Sequence, residues 1–116
     1  MTPIKLKRIY DAREESDGFR VLADRLWPRG IKKEDAAIDL WAKHVAPTNE
    51  LRKWYHANMD QYDEFYKKFM LEINQNPESS QFLKTVKSKP VVCLLTAAKD
   101  IPKSHLGVLK DFIERK

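Results

Sequence analysis

The apolar and polar positions of this chain change period twice, and the changes divide it into elements. In IKLKRIY (4–10), Ile4 and Leu6 alternate with Lys5 and Lys7, the period of a half-buried strand, here predicted over 4–9. The polar stretch DAREESDG ends on the turn pair Asp17-Gly18, and FRVLA (19–23) reads as a second strand. Much later, PVVCLLTA (90–97) is an unbroken apolar run opened by proline. It predicts a strand over 91–96 that is flanked on both sides and covered on both faces.

Between these strands the period lengthens to that of a helix. EDAAIDLWAKHV (34–45) sets Ala37, Leu40, Trp41 and His44 on one stripe. Thr48 heads TNELRKWYHAN as an N-cap with Glu50 in the first turn, so a helix is expected from about residue 49. DQYDEFYKKFMLEIN (60–74) spaces Tyr62, Phe65, Tyr66, Phe69, Met70 and Ile73 by threes and fours, a core stripe. PESSQFLKTVKS gives a short helix near 78–87, and SHLGVLKDFIERK buries Leu106, Leu109, Phe112 and Ile113 behind Ser104 as cap. Strand, strand, helices, strand, helix is the order of an α/β protein. The expectation is a single small domain over 1–116, a short, mainly parallel sheet with helices packed on it.

Composition narrows the setting. Apolar residues make up 42% of 116, enough for one core. No run approaches the roughly 20 apolar residues of a membrane span, and MTPIKLKRIY lacks the apolar stretch of a signal peptide. These features predict a cytoplasmic protein with no membrane partner. The single cysteine, Cys93 in VVCLL, fits a buried core thiol. His44, His56 and His105 show no metal-ligand spacing, and there is no glycine-rich cofactor loop, so neither metal nor cofactor is expected.

Charge is uneven. Residues 1–33 hold nine basic and five acidic groups, 84–116 hold eight and three, and 34–83 reverse this with five and nine. Basic ends raise one function class, a nucleic-acid-binding module. Its stacking aromatics would have to be Trp27, Trp54 and Tyr55, because Phe65, Tyr66, Phe69 and Phe112 lie on core stripes. That reading is not favoured.

The other class comes from the strand ends, outside which open α/β sheets bind their ligands. The second strand runs into Asp24-Arg25 and LWPRG, and the third ends at Thr96 before AAKDIPKSH. If these strands are parallel neighbours, Arg25, Arg29, Lys99 and His105 converge on one rim, together with the helix start at Ser104. Arg25, Arg29 and Arg52 would hold a small anion bearing a phosphate or carboxylate, since guanidinium forks match those groups. Lys32 and Lys99 would add charge at the rim, and Trp27 and Pro28 would anchor the loop. Asp24 would orient an arginine or act as general base, and His105 would be the titratable acid or base of an enzyme or sensor. Each group also has a plainer reading, as internal ion pair, sheet-edge closure or surface histidine.

Two long stretches carry a resemblance. VLADRLWPRGIKKEDAAIDLWAKHVAPTNELRKWYHANMDQYDEF (21–65) and LLTAAKDIPKSHLGVL (94–109) resemble the YeaO-like branch of the domain-of-unknown-function 488 family. The family typically has valine where Ala23 stands and serine where Thr48 stands. Larger relatives carry a Cys-His-Arg triplet after the last strand, matched here by Ser104, His105 and Leu106. The resemblance implies the α/β fold and keeps the histidine, while the missing cysteine and arginine speak against thiol chemistry.

Overall fold

The computed structural model describes residues 2–116. Four strands, β1 (Ile4–Arg8), β2 (Phe19–Leu22), β3 (Leu40–Trp41) and β4 (Val92–Thr96), form one sheet in the order β1-β4-β2-β3. Every neighbouring pair is parallel. The fold is therefore α/β, and β4 lies between β1 and β2 as its continuous apolar sequence requires. All five of its residues are buried.

The register sorts side chains to the two faces. Val92 and Leu94 of β4, Val21 of β2 and half-buried Ile4 and Leu6 of β1 join the larger core. Onto that face pack α2 (Asn49–His56), α3 (Tyr62–Gln75), α4 (Ser79–Lys87) and α5 (Leu106–Arg115). The Phe65, Phe69, Ile73 stripe of α3 is buried there. Cys93, Leu95 and Leu22 face the other way, where Trp27, Ile31 and Ile38 of the long β2–β3 connection and Trp41 of β3 cover them. That connection contains only a one-turn helix, α1 (Lys33–Ala36). Ile4 stays half-buried because β1 is an edge strand. No helix among the described residues is long and apolar enough to cross a membrane.

The helix expected over 34–45 is not formed. It stops after one turn at Ala37, whose φ of 51° is left-handed, and the chain continues as β3 and a 3₁₀ turn at Lys43–Val45. The cause lies in β2. The Arg20 guanidinium donates to the carbonyls of Ala36 and Ala37, the acceptors that residues 40 and 41 would need to continue an α-helix. Asp39 meanwhile exchanges hydrogen bonds with the Arg20 backbone, its N–H to the carbonyl and its carboxylate from the N–H. A long-range arginine outcompetes a local stripe.

Thr48 caps α2 as expected, its Oγ1 accepting from Leu51 N at 3.2 Å. The same hydroxyl donates to Glu72 Oε2 at 2.6 Å, and Thr48 N donates to Glu72 Oε1, so one residue ties the start of α2 to the last turn of α3. Thr48→Ala should lower stability by about 1–2 kcal/mol, at or above the middle of the cap range, while Thr48→Ser stays close to the parent. Urea denaturation midpoints decide it, and equal midpoints for Thr48→Ala and parent would count against the cap.

Candidate functional site

The site is built at the carboxyl ends of β2 and β4. Ala23 N donates to Leu95 O at 2.9 Å, which extends the ladder by one residue and brings Asp24 beside Thr96. The Asp24 carboxylate accepts from Thr96 Oγ1 at 2.7 Å, from Ala97 N at 2.8 Å and from His105 Nε2 at 3.2 Å. His105 Nε2 is also 2.8 Å from the Ala23 carbonyl. A carbonyl can only accept, so Nε2 carries the hydrogen, and Nδ1 has no partner among the described residues. The imidazole also packs edge-on to Phe69, centroids 6.0 Å apart. Both side chains of the dyad are nearly enclosed, 16% exposed for Asp24 and 14% for His105. Burial opposes the Asp24 charge. The hydrogen bond and charge of His105, with the Ala97 N–H and Thr96 hydroxyl, outweigh it and hold the carboxyl below its ordinary range.

The dyad lies at the bottom of a cleft of about 540 Å³ whose walls come from the β2–β3 connection, α2, the β4–α5 loop and the start of α5. Asp24, Arg25, Trp27, Arg29, Arg52, Lys99, Ser104 and His105 all line it. Lys32 does not; it is the exposed residue that precedes α1. Their surroundings differ sharply. Arg25 donates from Nε to Pro47 O at 3.1 Å and from Nη2 to Ala46 O at 3.0 Å, so it clamps the loop to the turn before α2. The Arg29 guanidinium has no partner among the described residues, although its carbonyl accepts from Tyr10. Arg52 reaches only Asn49 within its own helix, and Lys99 is exposed.

Trp27 and buried Pro28 fix the loop. The indole donates to Ile31 O at 2.7 Å and meets Trp41 edge-on at 5.2 Å. Gly30 then turns the chain at φ +78°; a Cβ there would meet nothing within 4 Å, so backbone conformation rather than space calls for glycine. Ser104 is buried and its hydroxyl is committed, donating to Ile101 O at 2.7 Å and accepting from Leu106 N. A serine whose proton faces a backbone carbonyl rather than a base is not an activated nucleophile. Leu106 is fully buried in the core. Cys93 is sealed between sheet and loop, and burial first of all pushes its thiol up to about 11. Among the described residues no three His, Cys, Asp or Glu side chains cluster as a metal would need.

Several lining groups were not among the rim residues expected from sequence, and Tyr55 entered there only as a candidate nucleic-acid stacker. Thr96 supplies a hydroxyl to Asp24, Tyr55 hydrogen-bonds the Lys103 carbonyl at 2.7 Å, and Tyr10, Leu26 and Met59 stand at the mouth. Only Thr96 left a signal: once β2 and β4 are parallel neighbours, the residues following Ala23 and Leu95 must meet.

The Asp24 geometry carries a pH prediction. Its folded-state pKa is depressed, so its stabilisation is present above the unfolded value, about 3.9, and is lost as pH falls through the folded value. The stability gap between parent and Asp24→Asn should therefore be wide at pH 7 and close below about pH 4. Denaturant midpoints across pH measure it; a gap independent of pH would remove the charged carboxylate from the account.

The family model described as the inactive DUF488-N3 subclade matches residues 3–116. The chain is 42% identical over 110 residues to uncharacterized protein YeaO of Escherichia coli K12, covering 95% of this chain and 96% of that protein. It is 36% identical over 112 residues to uncharacterized protein Rv3073c of Mycobacterium tuberculosis H37Rv, covering 97% and 94%. No solved structure matches it. This chain thus belongs to the YeaO-like branch of the DUF488 family, within the subclade described as inactive.

Proposed function

We propose that this protein binds a small anionic ligand in the cleft above Asp24 and His105, and binds it without turning it over. The observation that carries the reading is the charge of the lining. Arg25, Arg29, Arg52, Lys99 and Lys103 stand against only Asp24 and Asp100, and the Arg29 guanidinium has no partner among the described residues. A half-enclosed site with surplus guanidinium and ammonium groups favours phosphate or carboxylate. Binding rather than catalysis is supported by the Ser104 hydroxyl facing a carbonyl, by the sealed Cys93 and by the description of the subclade as inactive.

A nucleic-acid role finds less support. Lys7 pairs with Asp17 and Glu14, and Lys5 with Asp17, so part of the basic N-terminal segment is already neutralised. Of the candidate stackers, Tyr55 is buried, Trp27 packs on Trp41, and Lys68 covers Trp54.

Phosphate at one hundred times its Kd should stabilise the parent by about 2.7 kcal/mol relative to chloride at equal ionic strength. The double substitution Arg29→Ala, Lys99→Ala should leave stability in chloride within about 0.5 kcal/mol, as for other unpaired surface side chains, and abolish the phosphate effect. Thermal unfolding reads both. A parent indifferent to phosphate would end the anion-binding reading, as would a variant that keeps the full effect.

A further inference from the structure

The cleft is not uniformly basic, and its polarity by depth limits what could fill it. At the bottom stand the enclosed Asp24 carboxylate and His105, whose Nδ1 has no partner among the described residues. Arg29, Lys99 and Lys103 are exposed and Arg52 is half-buried, so the free cations belong to the rim. Between lie aromatic walls: Tyr55 and Phe65, stacked at 4.1 Å and 13°, both line the cleft, and Trp27 is half-buried. Four large hydrophobic side chains are exposed among the described residues. Three of them, Leu26 (61%), Met59 (49%) and Tyr10 (45%), stand round this same mouth.

From this we infer that the ligand is of the nucleoside monophosphate class, with its ring edge directed inward to His105 Nδ1, its ring between the apolar walls and its phosphate at the rim. The inference rests on the anion-binding reading and adds an orientation and a chemical class to it. A second anion at the bottom would face Asp24, so the phosphate belongs with Arg29 and Lys99. A plain aromatic acid would leave the histidine nitrogen desolvated and unpaired. A nucleobase edge carries both donors and acceptors, and so satisfies Nδ1 in either protonation state. The exposed Leu26, Met59 and Tyr10 would be partly covered by the sugar and ring, which removes an otherwise unexplained apolar rim.

Calorimetric titration of the full chain with inorganic phosphate, guanosine and guanosine monophosphate tests this. The nucleotide should bind at least about tenfold more tightly than either fragment, because its two ends are joined. His105→Ala should remove most of that advantage, and ring-nitrogen NMR of the parent should show His105 Nδ1 shifting with nucleotide but not with phosphate. If that variant does not fold, the NMR result stands by itself. Equal affinity for phosphate and nucleotide overturns the inference and leaves anion binding intact. Guanosine binding as tightly as the nucleotide overturns the placement of the phosphate. Failure of both phosphate and nucleotide to bind ends the anion reading itself, and the inference with it.

Discussion

A carboxylate at the end of a buried parallel strand has to be supplied with donors, and the way Asp24 is supplied organises this protein's working end. Its three donors come from three places: the last residue of β4, the first residue after it, and the segment that opens α5. Since β4 also pairs with β1 and β2, fixing Asp24 to Thr96 and Ala97 fixes where the β4–α5 loop leaves the sheet. Charge-assisted hydrogen bonds of this kind are among the stronger polar interactions available. The enclosed position is what makes them necessary, because an ionised group removed from water without partners is very costly. His105 is held from the same side by the Ala23 carbonyl, so its ring orientation follows from the strand register.

The loop that forms the opposite wall is held by a different set of contacts. Arg25 clamps it to the Ala46 and Pro47 carbonyls, the Trp27 indole binds Ile31, and the Trp41 indole binds the Asp24 carbonyl. All of these use backbone acceptors, so the loop conformation does not depend on another flexible side chain. Within DRLWPRG the two arginines have therefore diverged in task. Arg25 is used internally, whereas Arg29, four residues on and beyond buried Pro28, keeps its guanidinium free. A pre-ordered loop presenting a free guanidinium loses little freedom on binding, which is where affinity at small sites is most easily gained.

The sheet was legible because its strands are unambiguous in period. Alternation in β1 and the continuous run of β4 gave their faces and neighbours, and the Thr48 cap and the α3 stripe gave two helix positions. What failed was the segment after Lys33, where Ala37, Leu40, Trp41 and His44 fall by coincidence at helical spacing. There the deciding partner was Arg20, distant in sequence and itself held by buried Asp17 at 2.6 Å. Asp17 had read as half of a turn pair. It is instead the centre of a charge cluster with Arg20 and Lys7, and burial alone would raise its carboxyl. Hydrogen bonds from Glu14, Lys7 and Arg20 reverse that, and its pKa is lowered. Turn signals report backbone geometry and say nothing of a side chain's partners. The same limit applies at the cleft, where the convergence of the strand ends followed from topology while Tyr10, Leu26 and Met59 left no local mark.

The hydrogen bonds around His105 separate its role from those of its two neighbours. Ser104 and Leu106, which flank His105, are both structural. Ser104 closes a 3₁₀ turn at Ile101–Lys103 and accepts from the first N–H of α5; Leu106 fills the core beneath it. The histidine between them is different, because its Nε2 contacts go to Asp24 and Ala23 and do not involve Ser104. The ring orientation therefore does not depend on the side chains that flank it. The histidine presents one nitrogen to an enclosed, cation-rimmed cleft. On the proposed binding reading, this arrangement needs no nucleophile to hold an anion.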